Sequence, residues 1–221
     1  MQTAYFCAGD LTKAKVLVIS HDPRLQVSNT LASTAFFANY YFKPIPTQGS
    51  ERAKYNLAAA VYSYTSYLVS YKYSADQIIL TNLCNAVLPH APKGKTVLIP
   101  EERAQQGISE IRDILKKSDV EVILAMSLQV NYWLQKLGFY PAVSEFLSDA
   151  KPKPKGVNNE PPYYDPARGR AFTLICGKQF ITNDNRSVFP ILHVKQWPMK
   201  GPIAKAYTKS LESCVNSLKL K

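Results

Sequence analysis

Lys15-Val16-Leu17-Val18-Ile19-Ser20, followed at once by His21-Asp22-Pro23, is the stretch on which the reading of this chain turns. Four consecutive apolar residues, three of them β-branched, are too few for a helix face. They lack polar alternation, so they read as a strand buried on both sides, as in a parallel sheet. Similar runs recur at Gln77 to Thr81, Glu121 to Met126 and Phe189 to His193. Between them apolar side chains fall at three- and four-residue steps, the signature of amphipathic helices. One stripe is Leu57, Val61, Tyr64, Leu68 and Tyr71. The next is Ala104, Ile108, Ile111 and Leu115, opened by Pro100-Glu101-Glu102, and a third has Val130, Leu134 and Leu137 behind a capping Ser127. A last stripe, from Pro202 through Ile203, Tyr207, Leu211, Val215 and Leu218, closes the chain. The order β-α-β-α-β-α-β-α predicts right-handed crossovers. It gives a single domain over residues 1–221, a three-layer α/β/α sandwich around a mostly parallel four-stranded sheet. The ligand crevice of such a sheet lies beyond the carboxyl ends of its strands.

Composition narrows the function. The 27 Lys and Arg against 16 Asp and Glu leave 27 − 16 = +11, an excess that favours polyanionic partners. No G-x-G-x-x-G and no G-x-x-x-x-G-K-[ST] occurs among the nine glycines, which disfavours NAD and ATP chemistry. Cys7, Cys84, Cys176 and Cys214 include no C-x-x-C pair, so they read as reduced core thiols, with no metal or iron–sulfur cluster. The N-terminus has no basic and apolar leader, and no run reaches the ~18 apolar residues of a membrane span. A cytoplasmic protein without membrane contact is expected, a monomer by default. Lys151 to Pro166 (KPKPKGVNNEPPYYDP) holds five of the fifteen prolines and reads as a solvated loop. A possible extra strand follows it around Ala171 to Cys176.

Three of the runs deliver polar groups toward one edge of the sheet: Asp22-Pro23 after the first, Asn82 at the end of the second, and His193 at the end of the fourth. Taken singly, each has an ordinary role as a helix cap, an Asx turn or a structural histidine. Their convergence points to a site.

These residues resemble the motifs of the uracil-DNA glycosylase superfamily, of which the chain looks like a divergent member. Its first motif, strand-G-Q-D-P-Y, is similar to Ser20-His21-Asp22-Pro23-Arg24. Its second strand ends in Asn, as does Ile78-Ile79-Leu80-Thr81-Asn82, and its strand-H-P-S-P is similar to Ile191-Leu192-His193-Val194-Lys195. The resemblance implies hydrolysis, without a cofactor or metal, of the N-glycosidic bond of uracil or another modified base in DNA. Breaking that bond puts positive charge on the sugar and negative charge on the base, so the site needs an anion and a donor. Asp22 would position water and stabilise the oxocarbenium ion, and His193 would donate to O2 of the leaving base. Asn82 would read the edge of the flipped base beside His21, with Phe36 or Phe37 as the stacking platform. Past His193, Trp197 and Met199 are wedge candidates, while Lys195, Lys200 and Arg24 would hold DNA phosphates.

The chain departs from the family at Ser20, where Gly is usual, at Arg24, and at Val194-Lys195 in place of Pro-Ser. Two alternatives therefore stand beside the glycosylase: a non-catalytic nucleic-acid-binding protein of the same fold, and a hydrolase of small molecules or nucleotides.

Overall fold

The computed structural model describes residues 5–7, 9–21, 49–86, 88, 96–151, 163–164, 170–194, 209 and 212–218. In chain order these form β1 (Tyr5–Cys7), β2 (Val16–Ser20), α1 (Gly49–Leu68), β3 (Ile78–Asn82), β4 (Thr96–Val97) and α2 (Glu101–Lys116). There follow β5 (Val122–Met126), α3 (Leu128–Lys136), α4 (Ser144–Asp149), β6 (Tyr163–Tyr164), α5 (Arg170–Thr173), β7 (Phe180–Ile181) and β8 (Ser187–Ile191). Residues 212–218 form a last helix, α6.

The four apolar runs become β2, β3, β5 and β8, every residue of each buried, as strands covered on both faces must be. They pair in parallel in the order β3-β2-β5-β8. The chain thus moves from β2 to β3 on one side, then crosses back over β2 to β5. Right-handed crossovers put α1 on one face and α2 and α3 on the other. Consistent with this, α2 packs against α3, and Ser70, just after α1, donates through its hydroxyl to the Val215 carbonyl of α6 at 3.3 Å.

Among the described residues the sheet has six strands, not four. β1 and β7 add antiparallel edges to β3 and β8. With three and two residues, they are too short for any periodicity to announce them. The extra strand expected around Ala171 to Cys176 is instead the helical turn α5 and the bend after it. Ala171, Phe172, Ile175 and Cys176 are all buried, at steps that suit a helix rather than a strand. The Cys176 N–H accordingly donates to the Phe172 carbonyl at 2.9 Å. β8 also ends earlier than expected, at Ile191, because its partner β5 stops at Met126. Of the segment 151–166, Lys151 and β6 are described, and β6 pairs with β4 in a separate two-stranded sheet.

Pro190 sits inside β8 although it has no N–H. It lies beyond the two residues that β7 pairs, and its carbonyl accepts from Gly177 at 2.8 Å on that side. Its missing donor therefore falls where no ladder bond is required. The cysteines are free thiols, three of them buried. Burial raises the Cys176 thiol and pushes Cys214 up to about 12, which keeps both protonated and unreactive.

Candidate functional site

In the strand order described above, the topological switch point lies between β2 and β5, the place where doubly wound sheets open a crevice at their carboxyl edge. Ser20 pairs with Asn82 across β2 and β3, and Ile19 pairs with Ala125 across β2 and β5. Continuing that register by two residues sets His21 level with Ser127. The β5–β8 register sets Ser127 level with Leu192, one residue before His193. Asn82, His21, Ser127 and His193 thus come to one edge from four different strands.

Asn82 is completely buried, yet neither its Oδ1 nor its Nδ2 has a hydrogen-bond partner. A buried amide left this way costs about 1–3 kcal/mol relative to an apolar side chain of the same shape. The backbone around it is well held: Leu83 N–H donates to the Ser20 carbonyl at 2.7 Å and Cys84 N–H to that of His21 at 3.0 Å. The side chain is therefore fixed in place with its donor and acceptor unspent.

His21 is buried and bonded to the Gln129 amide of α3, Nε2 to Nε2 at 2.8 Å. Gln129 Oε1 accepts from the Ile99 N–H, so its Nε2 is the donor, and that nitrogen also donates to the Val97 carbonyl at 3.1 Å. His21 Nε2 must then accept, which puts the ring proton on Nδ1. One amide thereby ties the end of β2 to the β4 segment.

Ser127 does not cap α3 through its hydroxyl. It stands at the N-cap with φ 81° and ψ 159°, a region nearly confined to glycine, and its side chain makes no capping bond. Such a conformation costs about 1–3 kcal/mol and persists only where its surroundings enforce it. Asn131 does the enforcing: its Nδ2 donates to the Ala125 carbonyl at 2.9 Å and to the Ser127 carbonyl at 2.7 Å. Ser127 N–H in turn donates to the Ile191 carbonyl at 2.9 Å. Gly138, at φ 68°, ends the helix region and turns the chain so that Tyr140 comes back beneath it. The Tyr140 hydroxyl donates to Asn131 Oδ1 at 2.7 Å and accepts from Gln135 Nε2 at 3.3 Å, while Gln135 Oε1 accepts from Val143 N–H at 2.8 Å. Burial raises the Tyr140 phenol well above its ordinary value, so it stays a donor.

Tyr140→Phe should therefore lower stability by about 1–3 kcal/mol, because it strips Asn131 of its donor and Gln135 of its acceptor inside the core. Urea denaturation measures it. A loss under 0.5 kcal/mol would mean that the network does not brace the Ser127 turn.

Of the residues expected from sequence, Asn82, His21 and His193 meet at this edge. His193, partly exposed, lies two residues beyond the end of β8. Asp22, Arg24, Phe36, Phe37, Lys195, Trp197, Met199 and Lys200 lie outside the described residues. Sequence reasoning missed Gln129, Asn131 and Gln135. The signal was available: three uncharged amides, all now buried, interrupt the apolar pattern of α3 where a solvated face would carry charges. Among the described residues, no three His, Cys, Asp or Glu side chains gather to hold a metal ion. Nor is any helix of these residues long and apolar enough to cross a membrane.

A cavity of about 530 Å³ opens at the opposite, amino-terminal edge, where most of the charged groups pair with one another and Lys72 lies over the Tyr73 ring. There Lys15 meets Glu121 at 3.0 Å, and Arg186 binds Asp184 and the carbonyls of Val120 and Leu115. That is a brace of the strand starts, its ion pairs already made, although the Ser118 hydroxyl that also lines it is shielded and unpaired. The unspent Asn82 amide makes the carboxyl edge the better candidate. No protein-family model and no curated protein matches this chain.

Proposed function

We propose that this protein is an N-glycosidic hydrolase of the uracil-DNA glycosylase type, acting on a base turned out of a DNA strand. The observation that carries the reading is Asn82: a buried amide with both its donor and its acceptor unused, at the carboxyl edge beside the switch point. A pyrimidine edge presents the complementary acceptor and donor, and a base outside its stack is the form in which that edge is free. The strand order, the +11 charge and the arrival of His193 at the same edge support the reading.

In the mechanism, Asn82 fixes the base so that its carbonyl faces His193, which donates a hydrogen bond as negative charge builds on the departing ring. Asp22, immediately after His21, sets the carboxylate against the oxocarbenium face of the sugar and orients the attacking water. The glycosidic electron pair leaves with the base, and water supplies hydroxyl to the sugar carbon and a proton to the carboxylate side.

The test is incubation with a panel of oligonucleotides, each carrying one modified base, followed by alkaline cleavage at abasic sites. One base should give strand breaks with the parent protein. Asp22→Asn should reduce them by at least about 10³-fold with an unchanged melting temperature, since Asn substitutes for Asp in a turn or cap but not as a carboxylate. Tight DNA binding with no breaks for any base would instead assign the non-catalytic reading.

A further inference from the structure

We infer that the cavity at the amino-terminal edge of the sheet is a second binding site, for a small zwitterion with an ammonium and a carboxylate, the chemistry of a short peptide or a free amino acid. Its volume of about 530 Å³ falls in the range of small-molecule sites. Residues at the starts of β2, β5 and β8 line one side, and the residues just after α1, with Leu218 of α6, line the other. It therefore lies at the opposite end of the strands from Asn82. The inference does not rest on the function proposed above.

The charges around the cavity carry the argument. Lys15, Lys72 and Arg186 line it against Asp119, Glu121 and Asp184, so the totals cancel. The pairs do not. Arg186 is matched to Asp184. Lys15 Nζ stands 3.0 Å from Glu121 and 3.9 Å from Asp119, so two carboxylates share one ammonium. One negative charge is left over, and it falls to Asp119, the more distant and more exposed of the two. Lys72 is the opposite remainder: among the described residues it makes no ion pair, and its Nζ rests 5.4 Å from the centre of the Tyr73 ring.

A simple anion in this cavity would meet the surplus carboxylate, and a simple cation would meet Lys72. A ligand carrying both charges satisfies both, its carboxylate at Lys72 and its ammonium at Asp119. Ser118 adds a polar contact. Its hydroxyl lines the cavity, shielded and without a partner, and the residue is only partly buried. Rotation about χ1 turns that hydroxyl toward an amide or carboxylate of the ligand. Val69, Val122 and Leu218 supply the apolar part of the lining, which favours a ligand with an aliphatic side chain.

The probe is leucyl-leucine, compared by calorimetry with its N-acetylated form, its C-terminal amide and free leucine. The unmodified dipeptide should bind, and at about 10 mM it should raise the melting temperature. Each blocked form should bind about fivefold more weakly, the effect of one partly exposed ion pair. Lys72→Met, which keeps the aliphatic stem, should abolish the discrimination against the amide and leave that against the acetylated form. Asp119→Asn should do the reverse. Both residues are exposed, so neither variant threatens the fold. Ser118→Ala should weaken binding by about threefold to tenfold without lowering the melting temperature, since it removes an unpartnered hydroxyl. Tighter binding of leucine than of the dipeptide assigns a free amino acid, and the reverse order assigns a peptide. Neither heat nor a melting shift with any of these probes, or variants that discriminate as the parent does, overturns the inference. Neither result touches the excision assay, so this site and the proposed function stand or fall separately.

Discussion

Gly107→Ala should destabilise the protein by about 3 kcal/mol, the upper end for overpacking, and lower its melting temperature by about 6–12 °C. In the middle of a helix the same change ordinarily helps by up to about 1 kcal/mol, so the expected sign is reversed. The cause is contact between α2 and the exit of β3. A Cβ at Gly107 would stand 1.7 Å from the carbonyl oxygen of Leu83 and 2.7 Å from its carbonyl carbon, both backbone atoms that no rotamer change can remove. Leu83 is itself bonded to Ser20, and Asn82 precedes it. Helix α2 must either lift or push the end of β3 out of register, and either way the Asn82 amide moves. Thermal and urea denaturation of the variant measure the effect. A neutral or stabilising Ala would show that the helix does not press on this strand.

Asn82→Leu should act in opposite directions on stability and function. Replacing an unsatisfied buried amide by an apolar side chain of similar shape should raise stability by about 1–3 kcal/mol. Turnover, or affinity for the flipped base, should fall by at least about 10³-fold, because a pocket built to hydrogen-bond its ligand loses both bonds at once. A structural asparagine behaves otherwise: its replacement lowers stability, and activity follows only through unfolding. Denaturation curves and the oligonucleotide assay on the same preparation distinguish the two. A destabilised Asn82→Leu with normal turnover per folded molecule would remove Asn82 from the site.

The parallel centre of the sheet could be read from the runs at residues 15–20, 77–81, 121–126 and 189–193, the last set two residues late, because burial on both faces leaves an apolar run as its trace. The edges could not. Tyr5–Cys7 and Phe180–Ile181 are held by pairing with β3 and β8 rather than by any pattern of their own. Ala171 to Cys176 misled because its apolar composition suits a strand while its buried positions follow a helix. In the candidate site, the place of Asn82 at the strand end was legible since a polar residue ending an apolar run stands out. The support for it was not: the stripe Val130, Leu134 and Leu137 describes only one face of α3, whereas Gln129, Asn131 and Gln135 are buried on the others. Likewise Ser127 looked like a cap, since one-dimensional spacing carries no information on the sign of φ.

The two short edge strands bear on how the protein behaves when crowded. An exposed row of unpaired N–H and C=O groups is a template for strands of other molecules, and long flat edges are where aggregation begins. Among the described residues, one flank of the sheet ends in three paired residues and the other in two, and beyond the shorter one Pro190 offers no N–H. An incoming strand would find only a short ladder on either flank, too little to offset the entropy of association. Together with the mutual repulsion of molecules carrying +11, this geometry opposes edge-to-edge association at high concentration.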